Sequence, residues 1–143
     1  MTPTTLAALL GLAAAFVLPA QASAAPQTWT CSAKKDATQH NLSVVVDGDK
    51  VVGFDYLAAT RSESGLNSCS LASEPGKAAV SHGGVTTFPL EDEDTAVARK
   101  AGDTITFDFG NTRMMNYCGQ SSNIAETLTI KSGAKRCSAV RNR

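Results

Sequence analysis

The chain has 143 residues, 13 Lys and Arg against 13 Asp and Glu, and a formal charge of zero. That length fits one domain. The charge balance argues against the basic stripe of a nucleic-acid binder and the polybasic patch of a membrane-surface protein.

The charges are not evenly spread, because none occurs in the first 24 residues. Residues 6–18 form a thirteen-residue apolar run, too short for the roughly 20 needed to cross a bilayer, and it ends at Pro19. Ala22-Ser23-Ala24 supplies small side chains for a signal peptidase, although residues 1–5 lack the usual basic group. The expectation is a leader over 1–24 and a single domain over 25–143, secreted or periplasmic, with no membrane span.

Beyond the leader, period-2 alternation dominates. Residues 28–32 and 41–46 read as strands, and Asp47-Gly48-Asp49-Lys50 turns the second into a third over 51–57. An Asp-Gly step between β-branched runs is a strong hairpin signal. On the return strand, strict alternation places Val52, Phe54 and Tyr56 on one face. His40 falls in a predicted turn, Gln39-His40-Asn41, as a solvated loop histidine. Residues 62–68 read as a loop, 69–71 as a short strand and Pro75-Gly76 as a turn.

Short strands are predicted over 77–81 and 85–90, around the glycine pair of His82-Gly83-Gly84. Glu91, Asp92, Glu93 and Asp94 form an acidic surface loop. A further hairpin runs from 95–98 through Lys100-Ala101-Gly102-Asp103 to 104–109, with Ile105, Phe107 and Phe109 inward. Residues 114–118 are the next predicted strand. Asn123 is placed to cap a helical turn over 124–126, and 127–131 with 136–140 make a last hairpin. Seven to nine such strands define an all-β antiparallel sandwich or small barrel.

Cys31, Cys69, Cys118 and Cys137 are even in number, and an exported domain of this size reads them as two disulfides. Of three possible pairings, Cys31 with Cys69 and Cys118 with Cys137 close the shortest loops. No two cysteines have zinc spacing, and His40 and His82 lack ligand-spaced partners, so no metal or cofactor is expected. The acidic loop lacks the Asp-x-Asp-x-Asp-Gly spacing of a calcium loop. Met114-Met115 without a spaced histidine reads as core packing rather than a copper site.

Neutral-pH catalysis needs a positioned acid, base or nucleophile. Ser81 and His82 are adjacent, so on a strand they face opposite ways, and no Gly-x-Ser-x-Gly elbow is present. The sequence therefore predicts no catalytic residues and no enzyme.

Trp29-Thr30-Cys31, the Asp47-Gly48 hairpin, Lys100-Ala101-Gly102-Asp103-Thr104 and Asn116-Tyr117-Cys118 together resemble the small periplasmic inhibitors of c-type lysozyme. Arg99 stands where that family has an aromatic before its lysine, and residues 119–140 have no counterpart in it. The resemblance implies a disulfide-bearing β-barrel and a protein partner, a cell-wall hydrolase. It also implies partner-binding residues at Ser81, His82, Gly83 and Lys100. Glu91, Asp92, Glu93 and Asp94 would steer a basic enzyme toward the domain. The alternative is a non-enzymatic envelope or extracellular module with structural or ligand-binding duties.

Overall fold

A computed structural model describes residues 24–74, 77–119 and 122–142; the expected leader over 1–24 lies outside them except for Ala24, as does the Pro75-Gly76 turn. The first sheet is a four-stranded meander of β1 (Gln27–Lys35), β2 (Thr38–Asp47), β3 (Lys50–Ser62) and β4 (Gly65–Ala72). The second holds β5 (Val80–His82), β6 (Val85–Pro89), β7 (Thr95–Ala101), β8 (Thr104–Asp108), β9 (Ala125–Lys131) and β10 (Ser138–Asn142), again in chain order from one edge to the other. All paired strands are antiparallel. The fold is thus the sandwich of the two expected forms, with open sheets and ten strands among the described residues.

Between the sheets lies an aromatic core. Phe54 of β3 packs edge-on to Phe88 at 5.0 Å and meets Phe107 at 5.2 Å, while Tyr56 lies 4.7 Å from Phe109. Such pairs contribute about 0.5–1.5 kcal/mol each beyond the area they bury. Ile105, Phe107 and Phe109 are fully buried, as their alternation predicts.

Five local expectations are corrected. On β3, Val45 pairs with Gly53 but Val46 pairs with Val51, so Val52 is the extra residue of a β-bulge. Val51 is therefore buried and Val52 is exposed, the reverse of strict alternation. Strand β2 begins at Thr38, not Asn41, so His40 shares the inward face with Thr38, Leu42, Val44 and Val46. The predicted strand over 114–118 is one turn of helix, α1 (Met114–Tyr117), closed by the Cys118 N–H on the Met114 carbonyl at 2.9 Å. The capped turn after Asn123 is instead the chain entering β9 at Ala125, with Ile124 and Ala125 buried and the Asn123 N–H donating to Thr60 Oγ1 at 3.2 Å.

The fifth expectation concerns the disulfides, which join Cys31 to Cys137 and Cys69 to Cys118. Cys31 and Cys69 cannot pair, because β1 and β4 are opposite edges of one sheet. Three strand spacings put those edges about 14 Å apart, against a Cα reach of about 4.4–6.8 Å. Each bond instead ties one edge of the four-stranded sheet to the chain that follows β8 or β9. Their sequence separations of 106 and 49 residues are larger than those of the expected pairing. Loops of that length give about 4–5 kcal/mol each in the chain-entropy model.

Candidate functional site

In a meander, alternate turns fall at the same end of the sheet. The β5–β6 and β7–β8 turns are consequently neighbours at one end of the six-stranded sheet, and the acidic β6–β7 connection lies at the other. Strand β6, with five residues, separates the two ends by about 17 Å.

At the turn end, Gly83 and Gly84 form the two-residue tip between paired His82 and Val85, both with positive φ (56° and 78°). A Cβ on Gly84 would sit 2.8 Å from the Lys100 carbonyl oxygen, so glycine is required there twice over, by dihedral and by space. The Lys100 N–H donates to the Gly84 carbonyl at 2.8 Å. Residues far apart in the chain are thereby joined: Ser81, His82, Gly83 and the Lys100 backbone form one surface with Asp49 and Lys50 of the β2–β3 turn.

The side chains divide into those that project and those that do not. All three residues of β5 are exposed. Ser81 Oγ is nevertheless bonded to Thr86 Oγ1 across the hairpin at 2.9 Å. Lys100 does not project: its side chain is only 9% exposed, and its ammonium donates to the Gly102 carbonyl at 2.8 Å. The same ammonium lies 3.6 Å from the carboxylate of Asp49, so it bridges the ends of the two sheets. The tip is held from beneath.

The other end is organised by side chains. Glu91–Glu93 is a single 3-10 turn in which Asp92 and Glu93 adopt left-handed backbone (φ 49° and 68°). Glu91, Asp92 and Glu93 face solvent, whereas Asp94 is buried. Its carboxylate accepts from the Arg113 N–H and Nε, each at 2.8 Å, and the Arg113 guanidinium also donates to the Asp92 carbonyl. Burial works to raise the Asp94 pKa, but the Arg113 hydrogen bonds and charge outweigh it, leaving the carboxyl below its ordinary value. Tyr117, whose hydroxyl donates to the Glu91 carbonyl at 3.3 Å, is pushed up to about 12 by burial and by the Asp94 charge. Of the four acidic side chains, three are available for long-range steering and one is structural.

A buried polar group lies between the sheets where the sequence predicts a solvated turn around His40. The Tyr56 hydroxyl accepts the Ala125 N–H of β9 at 2.8 Å and lies 2.7 Å from His40 Nδ1. This bond joins the phenol to one ring nitrogen, Nδ1, and leaves the other, Nε2, to find a partner elsewhere. That Nε2 is buried and finds no hydrogen bond of good geometry. Burial holds the His40 pKa below its ordinary value, and the Asn142 side chain opposes this only in part. Tyr56 is itself pushed up to about 12 by burial. The early polar-apolar alternation from Thr38 was the available signal.

Among the described residues, no three of His, Cys, Asp and Glu gather in a way that could hold a metal ion. Met114 packs against the core and Met115 is exposed. Comparison with protein-family models, curated proteins and solved structures finds no match.

Proposed function

We propose that this chain is an exported protein-binding domain of inhibitor or immunity type that blocks a lysozyme-like cell-wall hydrolase. The supporting observation is the 81–84 hairpin tip, an exposed projection whose shape is fixed by the Gly84 contact with Lys100. Inhibition by occlusion needs a rigid projection and no reacting group, and preorganisation reduces the ordering cost of binding. His82, Gly83 and the Asp49-Lys50 turn supply the contact surface. In this reading Lys100 positions the tip instead of entering the partner's cleft, a departure from the role that the resemblance to c-type lysozyme inhibitors implies for it. Glu91, Asp92 and Glu93 attract a basic enzyme from a distance. Two disulfides, and the lack among described residues of a helix able to cross a membrane, are compatible with an extracellular or periplasmic location.

Titrating the oxidised domain into lysis assays with a panel of muralidases tests this. Loss of lysis at micromolar domain, relieved by His82→Ala, is the expected result; undiminished lysis by every muralidase overturns the reading. A second reading, an envelope module that binds a ligand, is favoured by the hydroxyl- and amide-bearing residues Thr30, Ser32, Gln39, Asn41 and Ser43 on the outer face of the four-stranded sheet. Recovery of a hydrolase as the main species bound from an envelope extract selects the first over the second.

A further inference from the structure

The basic side chains of the molecule fall into two groups. Lys77, Arg99, Lys100, Arg113, Lys131 and Arg141 each pair with a carboxylate. Lys34, Lys35, Lys50, Arg61, Lys135 and Arg136 form no ion pair among the described residues; Lys34, Arg61, Lys135 and Arg136 line depressions on or beside the outer face of the four-stranded sheet, while Lys50 lies by the 81–84 tip. Asp55 is the one acidic residue lining those depressions.

The strand register shows how this face is built. Its central row across β1, β2 and β3 is Ser32, Asn41 and Leu57. One flanking row is Thr30, Ser43 and Asp55, and the other is Lys34, Gln39 and Ala59. Thr30, Ser32, Asn41, Ser43, Asp55 and Ala59 are short, and Lys34, Gln39 and Leu57 rise beside them. The face carries a groove of about 480 Å³ with Lys135 at its margin. Neighbouring depressions share Ser32, Lys34 and Gln39 with one another, which makes a continuous track. Arg61 lies along it and Arg136 at its β1 edge.

We propose that this face binds an acidic polysaccharide, a glycan chain bearing carboxylates or sulfates. Hydroxyls and amides in rows suit sugar hydroxyls, each of which both donates and accepts. Leu57, 40% exposed at the centre, offers an apolar platform for a sugar ring. The unpaired cations supply the charge complementarity, and Asp55 accepts from a hydroxyl. A protein partner would call for aromatic anchors, and a single-stranded nucleic acid for aromatic stacking. Neither kind of aromatic side chain lines the track. This site lies apart from the 81–84 tip and does not depend on the hydrolase reading.

Affinity electrophoresis and calorimetry with the oxidised domain and polygalacturonate at low salt test the assignment. The expected result is binding that weakens as salt screens the charges, with none to neutral dextran. Lys34→Glu with Arg136→Glu should weaken it at least about tenfold, near 1.4 kcal/mol. Lys135→Glu, in a separate loop, should weaken it in the same direction. Absence of binding overturns the proposal, as does equal binding by both variants. Equally tight binding of polyglutamate or single-stranded DNA overturns the choice of a glycan.

Discussion

The two ends of the six-stranded sheet solve the same backbone problem by different means. At the turn end, left-handed residues are glycines, Gly83 and Gly84, and the backbone of Lys100 is enough to seat them. At the acidic end the left-handed residues are Asp92 and Glu93, each of which carries a Cβ penalty of about 1–2 kcal/mol. There the conformation is held by side chains: Asp94 and Arg113, with Asn116 and Tyr117 in support. The glycine end leaves the His82 side chain exposed, while Ser81 is bonded to Thr86. The acidic end commits one carboxylate and a guanidinium to its own shape.

Substitutions at the two ends should therefore fail differently. Gly84→Ala meets both an unfavourable φ and the Lys100 carbonyl, so we expect a loss of about 2–4 kcal/mol in urea unfolding. Gly83→Ala, with open space around it, should lose only the dihedral part, about 1–2 kcal/mol. Equal losses at the two positions would show that the Lys100 contact does not constrain the tip. Asp94→Ala removes the acceptor of two Arg113 hydrogen bonds, with an expected cost of about 1–2 kcal/mol. Glu93→Gly should partly restore that variant, by up to about 1 kcal/mol, because glycine accepts the left-handed backbone.

The smallest expected effects are those of pH, and their signs differ in range between the regions. His40 has a folded pKa below its ordinary 6.5, so the unfolded chain binds the proton more readily. Its neutral burial is fully tolerated above about 6.5, and stability falls as the pH drops below that value toward the folded pKa. The contribution of Asp94, whose folded pKa also lies low, is complete above its ordinary 3.8 and is lost only as the pH falls below it. Unfolding midpoints measured from pH 8 to about 3 should therefore decline in two stages. Replacing Asp94 should diminish only the more acidic stage, to which Asp103, also held low by its hydrogen bonds with Lys131 and Thr104, still contributes.

Much of the fold was legible in the sequence because alternation is a local property. The inward set of Ile105, Phe107 and Phe109, the hairpin at Gly48 and the tip at Gly83-Gly84 all follow from neighbouring residues alone. What escaped depends on distant partners. The bulge at Val52 is set by register with β2, and the helical turn at Met114 by the path that takes Cys118 to Cys69. The disulfide pairing follows from sheet order, which no loop-length argument contains. Of the candidate site, Ser81, His82 and Gly83 meet the Lys100 backbone through its N–H on the Gly84 carbonyl, a contact that no local pattern contains. The inward folding of the Lys100 ammonium depends on Asp49 and Gly102, and the burial of Asp94 on Arg113.

The most direct test of the account is amide hydrogen exchange of the oxidised domain with and without an excess of c-type lysozyme. Bound enzyme should slow exchange at His82, Gly83 and Gly84 and in the Asp49-Lys50 turn, and should leave residues 91–94 unchanged. Protection centred on the acidic loop, or no protection anywhere, would contradict the claim that the glycine-built end is the binding surface.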